Sequence, residues 1–327
     1  MTISVNFVAT KKMNSKIFTD IFRRFINRDD LHTVVSERPL EGFDIYHYHR
    51  PQMEKGELMP GAVVTVHHDV INDFDPFVDF EKFRPHYENA GHIICLNSNQ
   101  AEYLASQGIT QTTIIPHGYE DRLFRRRPLR RFSADYKIKI GFISKRYGRR
   151  VKGEVLLYEM LEGLSPERVE FVLVGEGRSQ DAAYIREMGF ECECFEFLPY
   201  RLFPKVYEEI DFLLVLSNAE GGPANIAEAV ASGTPVLSRP VGIALDAVSD
   251  GVNGLYLSGE ASENAEVIRR LADNEQGLFD TLMVGAHKQE TAITWSQVID
   301  RHIEVYEKVL AKPKSSAVKF EGVVPTL

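Results

Sequence analysis

The segment Ser217-Asn-Ala-Glu-Gly-Gly-Pro-Ala-Asn-Ile-Ala-Glu-Ala-Val-Ala-Ser-Gly-Thr-Pro-Val236 holds the densest chemistry in the sequence. It follows the apolar run Phe212–Leu216 and reads as a strand, a glycine turn, a helix and a second strand. Gly221 and Gly222 let the backbone come close to a ligand. Pro223 suits a first helical turn, where its missing N–H costs nothing. The free N–H groups that follow make an anion site at the helix end. Glu220 falls just before that helix and Glu228 about a turn inside it. Two carboxylates could then bracket a ligand whose phosphates sit at the helix end, one accepting from sugar hydroxyls and the other from a ribose; the alternative is an ordinary strand–turn–helix with two solvated glutamates.

A second group is cationic. Lys145, Arg146, Arg149, Arg150 and Lys152 lie close together, yet residues 134–327 carry the whole formal net charge of −9, because residues 1–133 hold 17 basic and 17 acidic side chains. A basic patch on an acidic half points to a small anionic ligand and argues against nucleic acid, which needs a broad basic face. His67 and His68, followed by Asp69, stand at the end of the run Val63-Val-Thr-Val66, where a ring can act as donor or cation near neutral pH. An active-site role for one of the two, His67 or His68, is the alternative to a structural one. His117 shapes a turn with Gly118 or reaches the same cleft. Asp73-Phe-Asp75 could hold a divalent ion beside phosphate oxygens. With Asp79 and Glu81 nearby it reads as an acidic stretch, and no essential metal or other cofactor is expected.

These groups need a frame to position them. The chain has 327 residues, 44% of them hydrophobic, and three cysteines, Cys95, Cys192 and Cys194, with no CxxC or zinc spacing. That length suggests about two domains, and reduced thiols are expected. No apolar run is long enough to span a bilayer, and Met1 opens a polar–apolar alternation, so no signal peptide is expected. Both halves alternate strands with helices, the pattern of open parallel sheets covered on both faces. Strands are expected at Ile3–Ala9, Phe43–His49, Ala62–His67, His92–Leu96 and Thr112–Ile115, then at Lys139–Ile143, Phe171–Val174, Phe212–Leu216 and Pro235–Leu237. Helices are expected at Ser15–Arg28, Gln100–Gln107 (capped by Ser98), Glu154–Glu162, Phe203–Glu209, Ala224–Ser232 and Asn264–Asn274. A domain of residues 1–133 precedes one of residues 134–295, with an Arg-rich boundary at Asp121–Tyr136. A long amphipathic helix over Gln297–Leu310, within residues 296–311, and a tail of residues 312–327 complete the chain.

Glu220-Gly-Gly-Pro…Glu228-Ala-Val-Ala-Ser-Gly-Thr-Pro-Val236 resembles the Glu-x7-Glu signature of family-four retaining glycosyltransferases of GT-B fold. Arg146 followed by Lys152-Gly153 resembles the family's cationic loop, and Phe171-Val-Leu-Val-Gly-Glu-Gly177 its strand ending in Val-Gly-x-Gly. In the first half, Val63-Val-Thr-Val-His-His-Asp69 resembles the strand ending in the active-site His, and Ile114-Ile-Pro-His-Gly-Tyr-Glu120 a second family segment. Trp295-Ser…Tyr306 resembles the family's last helix, which crosses back to the first domain. Thr10-Lys-Lys-Met-Asn-Ser15 stands where the family carries a glycine-rich loop.

The resemblance implies an α/β protein: two Rossmann-like, doubly wound parallel sheets facing a cleft. It implies transfer of a sugar from a UDP- or GDP-sugar, with retention, to a glycan, lipid-linked or small-molecule acceptor. Surface polysaccharide or glycoconjugate synthesis is the setting it suggests. Arg146 and Lys152 would neutralise the diphosphate, Glu220 contact the sugar and Glu228 the ribose. The backbones of Gly221, Gly222, Pro223, Ala224 and Asn225 would line the sugar–phosphate path, with Gly175 beside it and His67 as the active-site histidine. A nucleotide-sugar epimerase or hydrolase of the same fold, or a non-catalytic nucleotide-sugar or glycan binder, are the alternatives. The expected location is cytoplasmic. Peripheral membrane contact is conceivable through the basic amphipathic segment Lys16–Arg28 or the arginines of Arg125–Arg131, and oligomeric state is not legible.

Overall fold

Uninterrupted apolar runs dictate strands buried on both faces. The computed structural model describes residues 2–9, 16–54, 56–71, 79–148 and 150–312. Thr10–Ser15, Asp73, Asp75, Arg149 and all but the first residue of the expected tail lie outside them. One sheet contains β1 (Ile3–Val8), β2 (Leu31–Ser36), β3 (Ile45–Tyr48), β4 (Val63–Val66), β5 (His92–Cys95) and β6 (Thr112–Ile114), ordered β2-β1-β3-β4-β5-β6. The other contains β7 (Ile138–Ile143), β8 (Val169–Val174), β9 (Cys192–Phe195), β10 (Phe212–Val215), β11 (Val236–Ser238) and β12 (Gly254–Tyr256), ordered β12-β11-β10-β7-β8-β9. Every pairing is parallel.

The helices are α1 (Lys16–Ile26), α2 (Phe80–Glu88) and α3 (Ser98–Ser106) on the first sheet's side of the chain. They continue with α4 (Glu154–Leu161), α5 (Ser179–Glu187), α6 (Phe203–Glu209), α7 (Ala224–Ser232), α8 (Ala244–Ala247), α9 (Ala261–Ala272), α10 (Leu278–Lys288) and α11 (Trp295–Ala311). Strand order reverses between β1 and β3 in the first sheet and between β7 and β10 in the second. Crevices outside the carboxyl ends of such strand pairs are where open α/β sheets take ligands.

One expectation needs correction. Asn97, not Ser98, caps α3: its side-chain oxygen accepts from the Gln100 N–H at 2.9 Å. The apolar face of α1 is spent inside the protein, with Phe18, Ile21, Phe22 and Phe25 buried against β1 and α11. The arginine-rich boundary is held to the second domain. Arg126 donates to the carbonyls of Ala286 (2.7 Å) and Gln289 (2.6 Å), buried Arg127 to those of Tyr207 and Ile210, and Arg130 to Asp211 at 2.7 Å. Three guanidinium groups thus clamp this stretch to the second sheet.

The last helix crosses back as its resemblance implied. Thr294 and Gln297 form a capping box at its start. Trp295, Val298, Ile299, Val305 and Tyr306 then join the core of the first sheet. The Tyr306 hydroxyl meets His47 Nδ1 at 2.8 Å, and His47 Nε2 meets Thr65 at 2.7 Å, pinning α11 to β3 and β4. All three cysteines are free thiols. Among the described residues no helix is long and apolar enough to cross a membrane.

Candidate active site

The second sheet's reversal point gathers the cations and the first carboxylate. The chain leaving β7 carries Arg146 and Lys152, and the chain leaving β10 carries Glu220. Lys152 Nζ and the Glu220 carboxylate form an ion pair, and Glu220 also accepts from Ser217 Oγ at 2.7 Å. Gly153 caps α4 in a left-handed conformation (φ 84°), and any Cβ there would strike the Leu216 carbonyl. Only glycine lets the loop turn so tightly after Lys152. Gly175, at φ 143° after β8, is pressed against the Ser144 carbonyl in the same way.

Arg146 is positioned from behind. Its Nε donates to Asp181 at 3.0 Å, and fully buried Asp181 also accepts from Arg178 at 2.6 Å and from the Tyr158 hydroxyl. Arg178 reaches Glu154 at 3.1 Å as well, so two buried carboxylates compensate one buried guanidinium. Of the other cations, Lys145 pairs with Glu176 at 2.6 Å and Arg150 is exposed.

The Gly-Gly-Pro turn does something its sequence did not reveal. A Cβ on Gly221 would stand 2.5 Å from the His67 carbonyl oxygen and 3.0 Å from the His68 nitrogen. A Cβ on Gly222 would stand 2.8 Å from Leu96 Cδ1. The glycines therefore bring the second domain's loop against the first domain's wall, in addition to any ligand. Asn97 Nδ2 donates to the Gly221 carbonyl at 2.6 Å, and His117 Nδ1 meets the Gly222 carbonyl at 2.7 Å. Pro223 is the N-cap of α7 and not its first helical residue. Ala224 and Asn225 open the helix, and Asn225 Nδ2 donates to the Ile143 carbonyl at 2.8 Å, tying α7 to β7.

Glu228 lies inside α7 and is almost fully buried. Tyr200 and Tyr207 donate to its two oxygens, each at 2.8 Å. Burial pushes its carboxyl up to about 7, while the tyrosine hydrogen bonds pull the other way. Neither tyrosine was legible as part of the site.

Histidines line the first domain's wall. His67 Nε2 meets His49 Nδ1 at 2.8 Å, and its half-buried ring packs edge-on against Phe18, 4.8 Å between centroids. The rings of His47 and His49 stack at 4.3 Å, and those of His49 and His67 at 5.1 Å. Burial holds all three well below the ordinary histidine range, so they are neutral at pH 7. A charged imidazole at position 67 is thereby disfavoured, and the hydrogen-bonding role remains. His68 turns away, towards Gln52 (3.2 Å) and the Tyr87 hydroxyl (3.3 Å). His117, lowered to about 4 by burial, faces the Gly-Gly-Pro turn and so belongs to the cleft. Among the described residues no group of three or more His, Cys, Asp or Glu side chains is arranged to hold a metal.

The stretch holding Arg146, Lys152, Glu220 and Glu228, residues 137–274, matches the family model described as glycosyl transferases group 1. Among curated relatives, the chain is similar to the D-inositol 3-phosphate glycosyltransferase of Thermomonospora curvata, with 34% identity over 118 residues, 36% of this chain and 26% of the relative. D-inositol 3-phosphate glycosyltransferase 1 of Catenulispora acidiphila is 35% identical over 105 residues, 32% of this chain and 25% of the relative. The matched stretch thus spans about a quarter of each relative's length. Among solved structures, sucrose-phosphate synthase (tll1590) of Thermosynechococcus elongatus superposes with a TM-score of 0.73 at 15% identity, covering 94% of this chain and 99% of that one. Anabaena Alr3699/HepE, in complex with UDP and glucose, gives 0.70 at 17% identity, covering 94% and 100%. The two facing doubly wound sheets are the GT-B fold.

Proposed function

We propose that the protein is a glycosyltransferase that moves a sugar from a nucleoside-diphosphate-sugar to an acceptor held by the first domain, with retention and without a bound metal. The observation that carries this reading is the Lys152–Glu220 pair at the second sheet's reversal point, beside the start of α7, with the next residue, Gly221, packed against the His67 backbone. Lys152, Arg146 and the α7 N-terminus supply positive charge where a diphosphate leaves. The bond from the sugar C1 to the phosphate oxygen breaks, a bond from C1 to the acceptor oxygen forms, and the acceptor proton passes to the departing phosphate. Glu220 is placed for sugar hydroxyls once a diphosphate draws Lys152 away. Glu228, between its tyrosines, is placed for the ribose. The D-inositol 3-phosphate glycosyltransferases and the UDP complex of Alr3699/HepE support a nucleotide-sugar donor. A cytoplasmic location fits such a donor.

The test is a panel of nucleoside diphosphates and their sugars, in EDTA throughout, read first by melting temperature and then by nucleotide release. One base should raise the melting temperature and support turnover in EDTA. Lys152→Ala should lower turnover by roughly 10²–10³-fold, the scale for losing one electrostatic stabiliser, with little change in unliganded melting. A full rate in Lys152→Ala, or strict dependence on added metal, refutes the proposal.

A further inference from the structure

The first sheet has its own reversal point, between β1 and β3, and the chain leaving β3 there is His49-Arg50. Arg50 is half-buried, and its guanidinium lies over the ring of buried Phe18, 4.7 Å from the centroid. Other arginines in this half are matched with acids: Arg24 with Glu120 and Asp20, Arg28 with Asp30 and Asp300, Arg84 with Glu81. Arg50 makes no such pair among the described residues. A desolvated cation without a carboxylate is costly to keep, and Phe18 alone does not neutralise it.

Its surroundings tie Arg50 to the chemistry. Phe18 touches both Arg50 and the His67 ring. His49, the preceding residue, has a buried Nε2 with no hydrogen-bond partner among the described residues. An anion here would lie next to the transfer site but on the opposite wall from the cations assigned to the donor. We infer that Arg50 is an oxyanion-binding residue of the acceptor subsite, so that the acceptor carries a phosphate or carboxylate group close to its reacting hydroxyl. Arg presents a planar fork that takes two oxygens of such a group at once. This rests on the glycosyltransferase reading for the word acceptor, whereas the anion preference itself does not.

The experiment uses the full chain with three probes on one ring: glucose 6-phosphate, glucuronate and glucose. Binding is measured by calorimetry with and without the nucleoside diphosphate that raises the melting temperature, for wild type, Arg50→Gln and Arg50→Lys. The wild type should bind at least one anionic probe about tenfold more tightly than glucose. Arg50→Gln should bring that ratio to near one, Arg50→Lys should keep part of it, and all three proteins should bind nucleotide equally. Absence of an anion preference in the wild type overturns the inference, as does a preference unchanged in Arg50→Gln. Loss of nucleotide affinity in Arg50→Gln with the anion ratio intact also overturns it, and moves Arg50 to the donor diphosphate. If no nucleotide binds any of the three proteins, the donor reading fails while the probe ratio still reports on Arg50.

Discussion

Replacing Gly221 by alanine tests whether the two domains must touch at this turn. The added Cβ would stand 2.5 Å from the His67 oxygen, and ordinary contact begins at 3.4 Å, so the loop or the wall must retreat by about 0.9 Å. His67 is fixed by β4 and by its bond to His49, and Gly221 by the bond from Asn97, so the retreat separates the domains locally. Overpacking of this kind costs about 1–3 kcal/mol, and each kcal/mol lowers Tm by roughly 2–4 °C in a domain of this size. A misplacement near 1 Å in the reacting groups costs about 10²-fold in rate. The assay follows nucleotide release from the donor, with and without acceptor, beside nucleotide-induced stabilisation. The expected outcome is a roughly hundredfold fall in kcat/KM with nucleotide affinity kept within about twofold, because Lys152, Arg146 and Glu228 stay in place. Wild-type kcat/KM with unchanged melting refutes the argument. Equal losses in nucleotide binding and rate would instead place the damage in the donor pocket.

Two further outcomes follow from the buried acids. Glu228 has its folded pKa raised to about 7 from 4.5, so the stability it contributes is full below 4.5 and is lost as the pH rises through 7. Relative to Glu228→Gln, the wild type should therefore lose stability across that window, measured by denaturant melts at several pH values. Parallel curves for the two proteins contradict the assignment. Asp181→Ala leaves Arg178 and Arg146 short of their shared carboxylate and should destabilise by about 3–5 kcal/mol. A variant as stable as wild type would show that Glu154 suffices for Arg178.

The sequence displayed its frame more openly than its contacts. The Phe212–Val215 strand is an uninterrupted apolar run and Val63–Val66 is broken only by Thr65, while α7 spans the expected Ala224–Ser232 and ends at a left-handed Gly233. Strands β2, β9 and β12 were missed because two are half-exposed and mixed in character and the third has three residues. At the site, Arg146, Lys152, Glu220 and Glu228 are grouped within the second sheet by short-range signals: a glycine turn and a cationic loop. What holds them is not local. Asp181, Tyr158, Tyr200 and Tyr207 come from separate helices and loops, and no spacing announces a hydrogen bond across 21 or 35 residues. The glycine pair was legible as a close approach, but what it approaches, a peptide 154 positions earlier, is set by how the two sheets face each other.

The chain passes between the sheets twice, and the two passages are joined: Tyr119 pairs with Thr294, with hydrogen bonds of 3.0 Å from Tyr119 N to Ile293 O and from Trp295 N to Tyr119 O. Gly118 is packed so closely on Thr294 that a side chain there would have no room. A single tether would let one lobe swivel in any direction over the other. A stitched double tether behaves as a door hinge: it admits swinging about one line and resists twist and shear. Any swing of one lobe over the other would then follow a fixed arc and bring His67 and the Gly221 turn back into the same register.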